Sequence, residues 1–337
     1  MVGLAALGRY LTGFPAIVAF VFATLALAGL AWVVSMATEQ VGEHFGPAVT
    51  GTLQSSVGNL PEFFVVLFAL EAHHTVVAET ALVGSILVNA LLVLGLVLVA
   101  GSNRAPDGVM RFSKRLPNDT ATLMLVAVFT IVLLGIVNSG HDPAALHTQT
   151  ISIVGAAVIL VVYAIWLSQY LREPTEAPSG ARQPPRVPIA ISVSLLVIGG
   201  VGSAFVSDWF IHGLEPTIHQ LHLSQAFAGL VIVAIAGNAV EHVVGIVLAL
   251  KGHADLAISV VKSSVAQIAA FLYPLMVLVS LFTATHLTFA VAPVYVGALA
   301  VSAILIWQIT GDGEATLFEG VALAGVYIVL ATVAAFE

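Results

Sequence analysis

Two short stretches of this chain repeat one pattern of chemistry-bearing residues. Residues 57–62 read VGNLPE and residues 236–241 read AGNAVE, so Gly-Asn-x-x-Glu recurs at an offset of 179 residues. The same offset carries Ser85 onto Ser264. Both glutamates, Glu62 and Glu241, fall inside long apolar runs. A carboxylate within a bilayer costs at least a few kcal/mol, so each marks a functional position. Glutamates that only glue helices together by hydrogen bonds do not need the same local motif twice.

The neighbouring residues point to a hard cation. Gly58 and Pro61 in the first copy, and Gly237 in the second, loosen a helix and free backbone carbonyls. Asn59, Asn89, Asn238, Gln267, Ser85 and Ser264 add neutral oxygens at a similar depth. Calcium takes about six to eight oxygen ligands in a flexible arrangement, and this inventory can supply them with Glu62 and Glu241 as the charged metal ligands. The chain has no cysteine, and no two histidines stand four apart on a helix, so zinc and copper fit less well. Two protons or one Ca²⁺ each cancel the charge of the glutamate pair. Either loaded site can cross a low-dielectric barrier, whereas the empty, doubly charged site crosses poorly. Obligatory exchange follows, with both ions as transported substrates and no resident cofactor.

The elements that must position these residues are membrane helices. Of 337 residues, 59% are hydrophobic and 8% charged, about a third of the charge density of a soluble domain. The net charge of −8 disfavours nucleic-acid binding, and the lack of cysteine excludes a disulfide scaffold. Ten stretches are long and apolar enough to span a bilayer: 16–38, 46–70, 79–100, 120–138, 149–170, 188–210, 225–250, 255–281, 288–309 and 317–336. The expected fold is an all-α polytopic membrane protein of about ten helices. On this reading 28 formal charges sit mainly in loops and at helix ends, and only Glu62, Glu241 and Lys262 lie well within spans.

A Pro-rich segment at 172–187 divides five helices from five. Residues 1–171 then form one repeat and 188–337 another, inverted because five is odd. Connections on one side of the bilayer hold eight of the ten Lys and Arg residues. That side is expected to be cytoplasmic, which puts both termini outside, and the short loops favour a prokaryotic plasma membrane. At about 1.5 Å per residue, Glu62 lies roughly 12 Å from the outer end of its helix and Glu241 roughly 14 Å from the inner end of its own. In a core of about 30 Å, both reach the midplane, from opposite sides.

With these residues in hand, the sequence resembles the cation/Ca²⁺ exchanger superfamily, in its Ca²⁺/H⁺ antiporter (CAX-type) branch. The resemblance covers ATEQVGEHFGPAVTGTLQSSVGNLPE (37–62), GSILVNALLVLG (84–95), GNAVEHVVGIVLALKGHADLAIS (237–259), QIAAFLYPLMVLVS (267–280) and DGEATLFEGVALAGVYIVLA (312–331). It implies that Glu62 and Glu241 bind Ca²⁺ and protons in alternation. It also implies that Asn89, Gln267, Ser85 and Ser264 line the site and that the Gly58-Asn59 and Gly237-Asn238 turns lend carbonyls. Sodium-coupled relatives usually carry an acid at the position of Gln267, so a neutral residue there implies proton coupling. The chain departs from the family at Ser263, where glycine is usual, and in lacking a long acidic segment between the halves.

Other residues carry weaker expectations. His242 either relays protons beside Glu241 or packs against the next helix. Lys262 reads as a snorkelling residue, with a role in coupling as the alternative. Glu39 and Asp208, at matching helix ends, either guide cations or are simply solvated, and Glu71, His73 and His74 form an outer loop cluster that is either simply wet or a pH-sensing or metal-binding group. The competing functions are the same fold coupled to Na⁺ or K⁺, or carrying Mn²⁺. More remote is an intramembrane metalloenzyme, for which no His-Glu-x-x-His set exists.

Overall fold

The computed structural model describes residues 1–11, 13–45, 57–113, 115–172 and 187–337. A short helix α1 (Val2–Tyr10) precedes α2 (Ala16–Phe45). There follow α3 (Leu60–Glu71), α4 (Thr75–Arg104), α5 (Arg115–Ser139) and α6 (Thr148–Arg172). The remaining helices are α7 (Ile189–Leu221), α8 (Gln225–Gly237), α9 (Ala239–Leu250), α10 (Ala254–Phe282), α11 (Pro293–Thr310) and α12 (Leu317–Ala335).

Eight of these are long and apolar enough to cross a membrane among the described residues, and α8 with α9 makes a ninth if the bent pair is one span. The tenth expected span, 46–70, is described only from residue 57, because 46–56 lie outside the described residues. Most of the linker expected at 172–187 lies outside them too. Helix α1 was not expected. It is too short to span, and it packs on α2 and α7 with Ala5 buried, Arg9 3.8 Å from Asp208, and Tyr10 edge-on to Trp209.

Burial sorts the helices. The α4 span is 83% buried and the α10 span 61%, against 22% for the span at Pro143–Gln169. Val158, Val161, Phe205 and Val329 stay exposed on the periphery, which is tolerable only where lipid replaces water. Between helices in lipid, small residues permit the closest contact. At the α4–α12 crossing, a Cβ on Gly95 would lie 2.6 Å from the Gly320 carbonyl oxygen, and one on Gly320 2.7 Å from that of Gly95. Helix α12 starts with a capping box in which Thr316 and Glu319 satisfy each other's backbone N–H groups.

Side-chain contacts identify two faces. On one, Thr285 Oγ1 donates to Leu70 O (2.9 Å), Gln149 meets His286 (2.8 Å) and His74 faces Glu215 (3.8 Å). On the other, strand β1 (Val109–Arg111) pairs antiparallel with β2 (Glu314–Thr316). There Asp255 accepts from Ser113 N, and Arg111 bonds both Asp107 and Glu314. The hydrogen bond from Arg111 holds Asp107 below the usual carboxylate range.

Candidate cation site

The site is built where helices fail to stay regular. Helix α3 begins after Asn59, whose backbone (φ −91°, ψ 15°) is not helical, and Pro61 supplies no N–H to the first turn. Helices α8 and α9 meet at Asn238 (φ −111°, ψ 17°) with a bend of 62°. There Asn238 Nδ2 donates to Ala234 O at 3.1 Å, using a carbonyl that the backbone no longer caps. The bounds repeat the sequence offset: Leu60 and Ala239 open the helices after each break, and Thr75 and Ala254 open the next ones. Helices α4 and α10 each contain a π-helical turn, Val88–Val93 and Ile268–Leu272. Asn89 and Gln267 stand at those turns, where such widening often marks function.

The two halves meet at these breaks. A Cβ on Gly84 would lie 2.5 Å from Leu230 O, so α4 and α8 touch backbone to backbone. One residue along, Asn238 Nδ2 donates to Ser85 Oγ at 3.0 Å. Asn89 Nδ2 donates to Ser85 O at 3.0 Å, holding its own side chain against α4. Glu62 is 1% exposed, and both Ser85 and Asn238 face its carboxylate. A Cβ on Gly237 would stand 3.6 Å from Glu62 Cβ, so the second break packs directly on the first glutamate. Glu241 is half-buried and near enough to Glu62 for the two charges to repel.

The unmet hydrogen-bonding capacity is mostly oxygen. Glu62 Oε1 and Oε2, Asn89 Oδ1, Asn238 Oδ1 and Ser264 Oγ are buried without a partner among the described residues. Buried polar atoms are rarely left so, and grouped acceptors without donors are the complement of a cation or of added protons. No group of three or more His, Cys, Asp or Glu side chains is placed to hold a metal ion among the described residues. The charge here is two carboxylates, and the rest of the lining is neutral.

Not every expected residue joins this group. Glu62, Ser85, Asn89, Gly237 and Asn238 are tied together by the contacts above, with Glu241 beside them. Ser264 is buried with a free hydroxyl oxygen, but no hydrogen bond links it to the others. Gln267 and Gly58 are half-buried. Asn59 is buried with its Nδ2 unpaired, a donor end that a half-turn of the amide exchanges for an acceptor.

His242 is buried with Nε2 unpaired. Glu39 is exposed, and Asp208 pairs with Arg9. His73 is exposed in a left-handed backbone (φ 60°). His74 and Glu215 line a cavity of about 430 Å³ with His219 and His222, while Glu71 joins His74 in a second one nearby.

Three features depart from the expectation. Lys262 does not snorkel: it is 5% exposed, and its Nζ donates to Thr310 Oγ1 at 2.5 Å on α11. A hydrogen-bond acceptor on a neighbouring helix competes with the route to water. The hydroxyls of Thr38 and Ser207, each preceding one of the paired acids Glu39 and Asp208, are buried; Ser207 Oγ donates to Pro61 O at 3.4 Å. Their shared position before those acids was a signal available in the sequence. Glu79, the first residue of the expected 79–100 span, is half-buried one turn inside α4.

Comparison with known proteins bears on this geometry. The sodium/calcium exchanger protein family matches residues 15–169 and 191–336. The chain is 31% identical over 324 residues to a vacuolar calcium ion transporter of Schizosaccharomyces pombe, covering 92% of this chain and 77% of that protein. It is 29% identical to a Ca²⁺/H⁺ antiporter of Aphanothece halophytica, covering 92% and 88%. The solved structure of native YfkE superposes with a TM-score of 0.83 at 26% identity, over 100% of this chain and 97% of that one. The chain belongs to the sodium/calcium exchanger protein family, in its CAX-type branch.

Proposed function

We propose that this protein is a secondary active antiporter that exchanges Ca²⁺ for H⁺ by alternating access, with Glu62 and Glu241 binding the two ions in turn. The observation that carries the reading is the Glu62 carboxylate. It is buried at the junction of two helix breaks, among neutral oxygens, with Ser85 and Asn238 facing it but neither placed to complete a hydrogen bond to its oxygens. A carboxylate arranged for structure finds a donor; one arranged for exchange leaves its oxygens to the cargo. Ser85 and Asn238 share the lining, with Asn89, Ser264, Gln267 and Asn59 and the backbone at Gly58 and Gly237. The relatives described as Ca²⁺/H⁺ antiporters support the choice of ions, and the lack of a further acid at Gln267 supports protons over Na⁺.

The two repeats are taken as 1–171 and 188–337, joined by a cytoplasmic linker at 172–187. The face that carries β1 and β2 is cytoplasmic, by the positive-inside rule. The face that carries the 72–74 turn and both termini is outside. His242 is the candidate proton relay beside Glu241.

The test is radiocalcium uptake into inside-out vesicles under an imposed pH gradient, with and without Na⁺. Uptake is expected to follow the pH gradient and to ignore Na⁺. Uptake that followed Na⁺ or K⁺ and ignored the pH gradient would overturn the proton assignment. Preference for Mn²⁺ in competition would overturn the choice of cargo.

A further inference from the structure

A crevice between the outer ends of α3 and α7 lies outside the central site. Glu71, His74, Asp208, His212 and Glu215 line a cavity of about 300 Å³ there. His74 and Glu215 also line the cavity of about 430 Å³ beside it, with His219 and His222. The two cavities thus share one pair of side chains, His74 Nε2 and Glu215 Oε2, which stand 3.8 Å apart and form the bar between them. Water reaches this bar, since the Glu215 side chain is 60% exposed and that of His74 15%.

The floor of the crevice adjoins the central site. Asp208 follows Ser207, whose hydroxyl donates to Pro61 O at 3.4 Å, one residue before Glu62. Phe68, in the same wall, stands six residues from Glu62, about 9 Å along α3. Helix α7 therefore meets the first half twice. It does so beside the break through Ser207, and at the surface through Glu215, about 12 Å further along its axis. A cation moving between outer water and Glu62 on this side passes the His74–Glu215 pair first.

Each neighbouring element brings charged or titratable groups. Helix α3 and its turn carry Glu71 and His73, α4 carries Glu79, and α7 carries Asp208, His212 and His219, with His222 just past its end. Arg9 of α1 lies 3.8 Å from Asp208. The loop that reaches Leu70 O through Thr285 carries His286, which is bonded to Gln149. Among the described residues His74 makes its ion pair with Glu215 alone. No third His, Asp or Glu is placed there to complete a metal shell among them, so the ligand this pair can take is a proton.

We propose that His74 and Glu215 are a proton-operated gate at the mouth of this crevice, joined when the outer solution is acid and parted when it is alkaline. The inference rests on the antiport reading and the orientation set out above. Histidine is the side chain whose charge changes between about pH 5 and 8. A protonated His74 holds Glu215 and so ties α7 to the α3–α4 turn. With His74 neutral, Glu215 is released, and Glu71, Asp208 and Glu215 face the single guanidinium of Arg9, a field that draws in a divalent cation. The gating proton comes from outer water and returns to it, so it is not one of the exchanged protons. Acid outside is the condition under which protons enter by exchange, and the gate then bars the return of exported Ca²⁺.

The test uses the full-length protein in right-side-out proteoliposomes. Half-saturating outer Ca²⁺ is measured at fixed inner pH, with outer pH stepped from about 8 to about 6. In the parent it rises with acid, in part through competition at the central glutamates. His74→Gln and Glu215→Gln are each expected to remove about two- to fivefold of that rise, and the double variant no more than either alone. His74→Lys, a fixed cation, is expected to hold half-saturating outer Ca²⁺ about two- to fivefold above the parent at alkaline pH. Measured from the inner side, the value stays within about twofold in every variant, because the central carboxylates are untouched. A His74→Gln protein with the parent's outer profile overturns the inference. So does a His74→Lys protein indistinguishable from His74→Gln, or an equal shift on the inner side. Should His74→Gln fail to reach the membrane, an unaltered profile in Glu215→Gln overturns it alone. Failure of the antiport reading would show differently, as an unsubstituted protein whose uptake ignores pH.

Discussion

Glu62→Gln and Glu241→Gln are each expected to reduce Ca²⁺/H⁺ exchange by about 100-fold or more while leaving the protein folded. Removing one member of a buried set of opposite charges costs about 3–5 kcal/mol, and each 1.4 kcal/mol is about tenfold in binding. The loss falls on cargo and not on the fold, since neither Glu62 oxygen completes a hydrogen bond and a glutamine carbonyl still offers an acceptor to Ser85 and Asn238. A buried amide is also cheaper than a buried carboxylate. The melting temperature of Glu62→Gln in calcium-free buffer should therefore equal or exceed that of the parent. The stabilisation that saturating Ca²⁺ gives the parent, through binding to the folded state, should vanish in both variants. Thermal melts with and without Ca²⁺, beside vesicle uptake, check all of this. A variant that exchanges normally but melts early would mean that the glutamates are structural.

Gly84→Val is expected to have the largest effect on stability. Its Cβ would fall 2.5 Å from Leu230 O and 2.6 Å from Leu230 Cα. Those are backbone atoms, so relief requires α4 and α8 to separate. Overpacking costs about 1–3 kcal/mol even where side chains can yield, which corresponds to several degrees in melting temperature. The separation also draws Ser85 away from Asn238, which now bond at 3.0 Å, so Ca²⁺ binding weakens with stability. Gly325→Val is the control, because nothing lies within 4 Å of its added Cβ. Equal melting temperatures for the two variants would contradict the close crossing.

Much of this arrangement is legible in the sequence, for a physical reason. A spanning helix is encoded by some 20 residues of summed hydropathy, so local errors average out and the expected spans match the described ones closely. The glutamates are legible because scarcity of charge makes each buried carboxylate conspicuous, and because Gly-Asn-x-x-Glu is written twice.

What escaped depends on partners distant in sequence. The Gly95–Gly320 crossing joins two glycines 225 positions apart, and neither is marked by its neighbours. Lys262 reads as snorkelling until Thr310 is seen beside it. Glu79 lies four residues inside Thr75, where one turn separates a solvated helix end from a half-buried carboxylate. Helix α1 has only nine residues, too few for a spanning signal.

The proposed exchange requires one carboxylate pair to hold either protons or Ca²⁺. The most direct measurement is proton release on Ca²⁺ binding by the purified protein, followed in weakly buffered solution with a pH indicator at a pH where the metal-free pair is protonated. About two protons should be released per Ca²⁺ bound, since either load neutralises the pair. Neither binding nor release is expected in the Glu62→Gln, Glu241→Gln double variant. Tight Ca²⁺ binding with no proton release, or binding that survives the double substitution, would contradict that requirement.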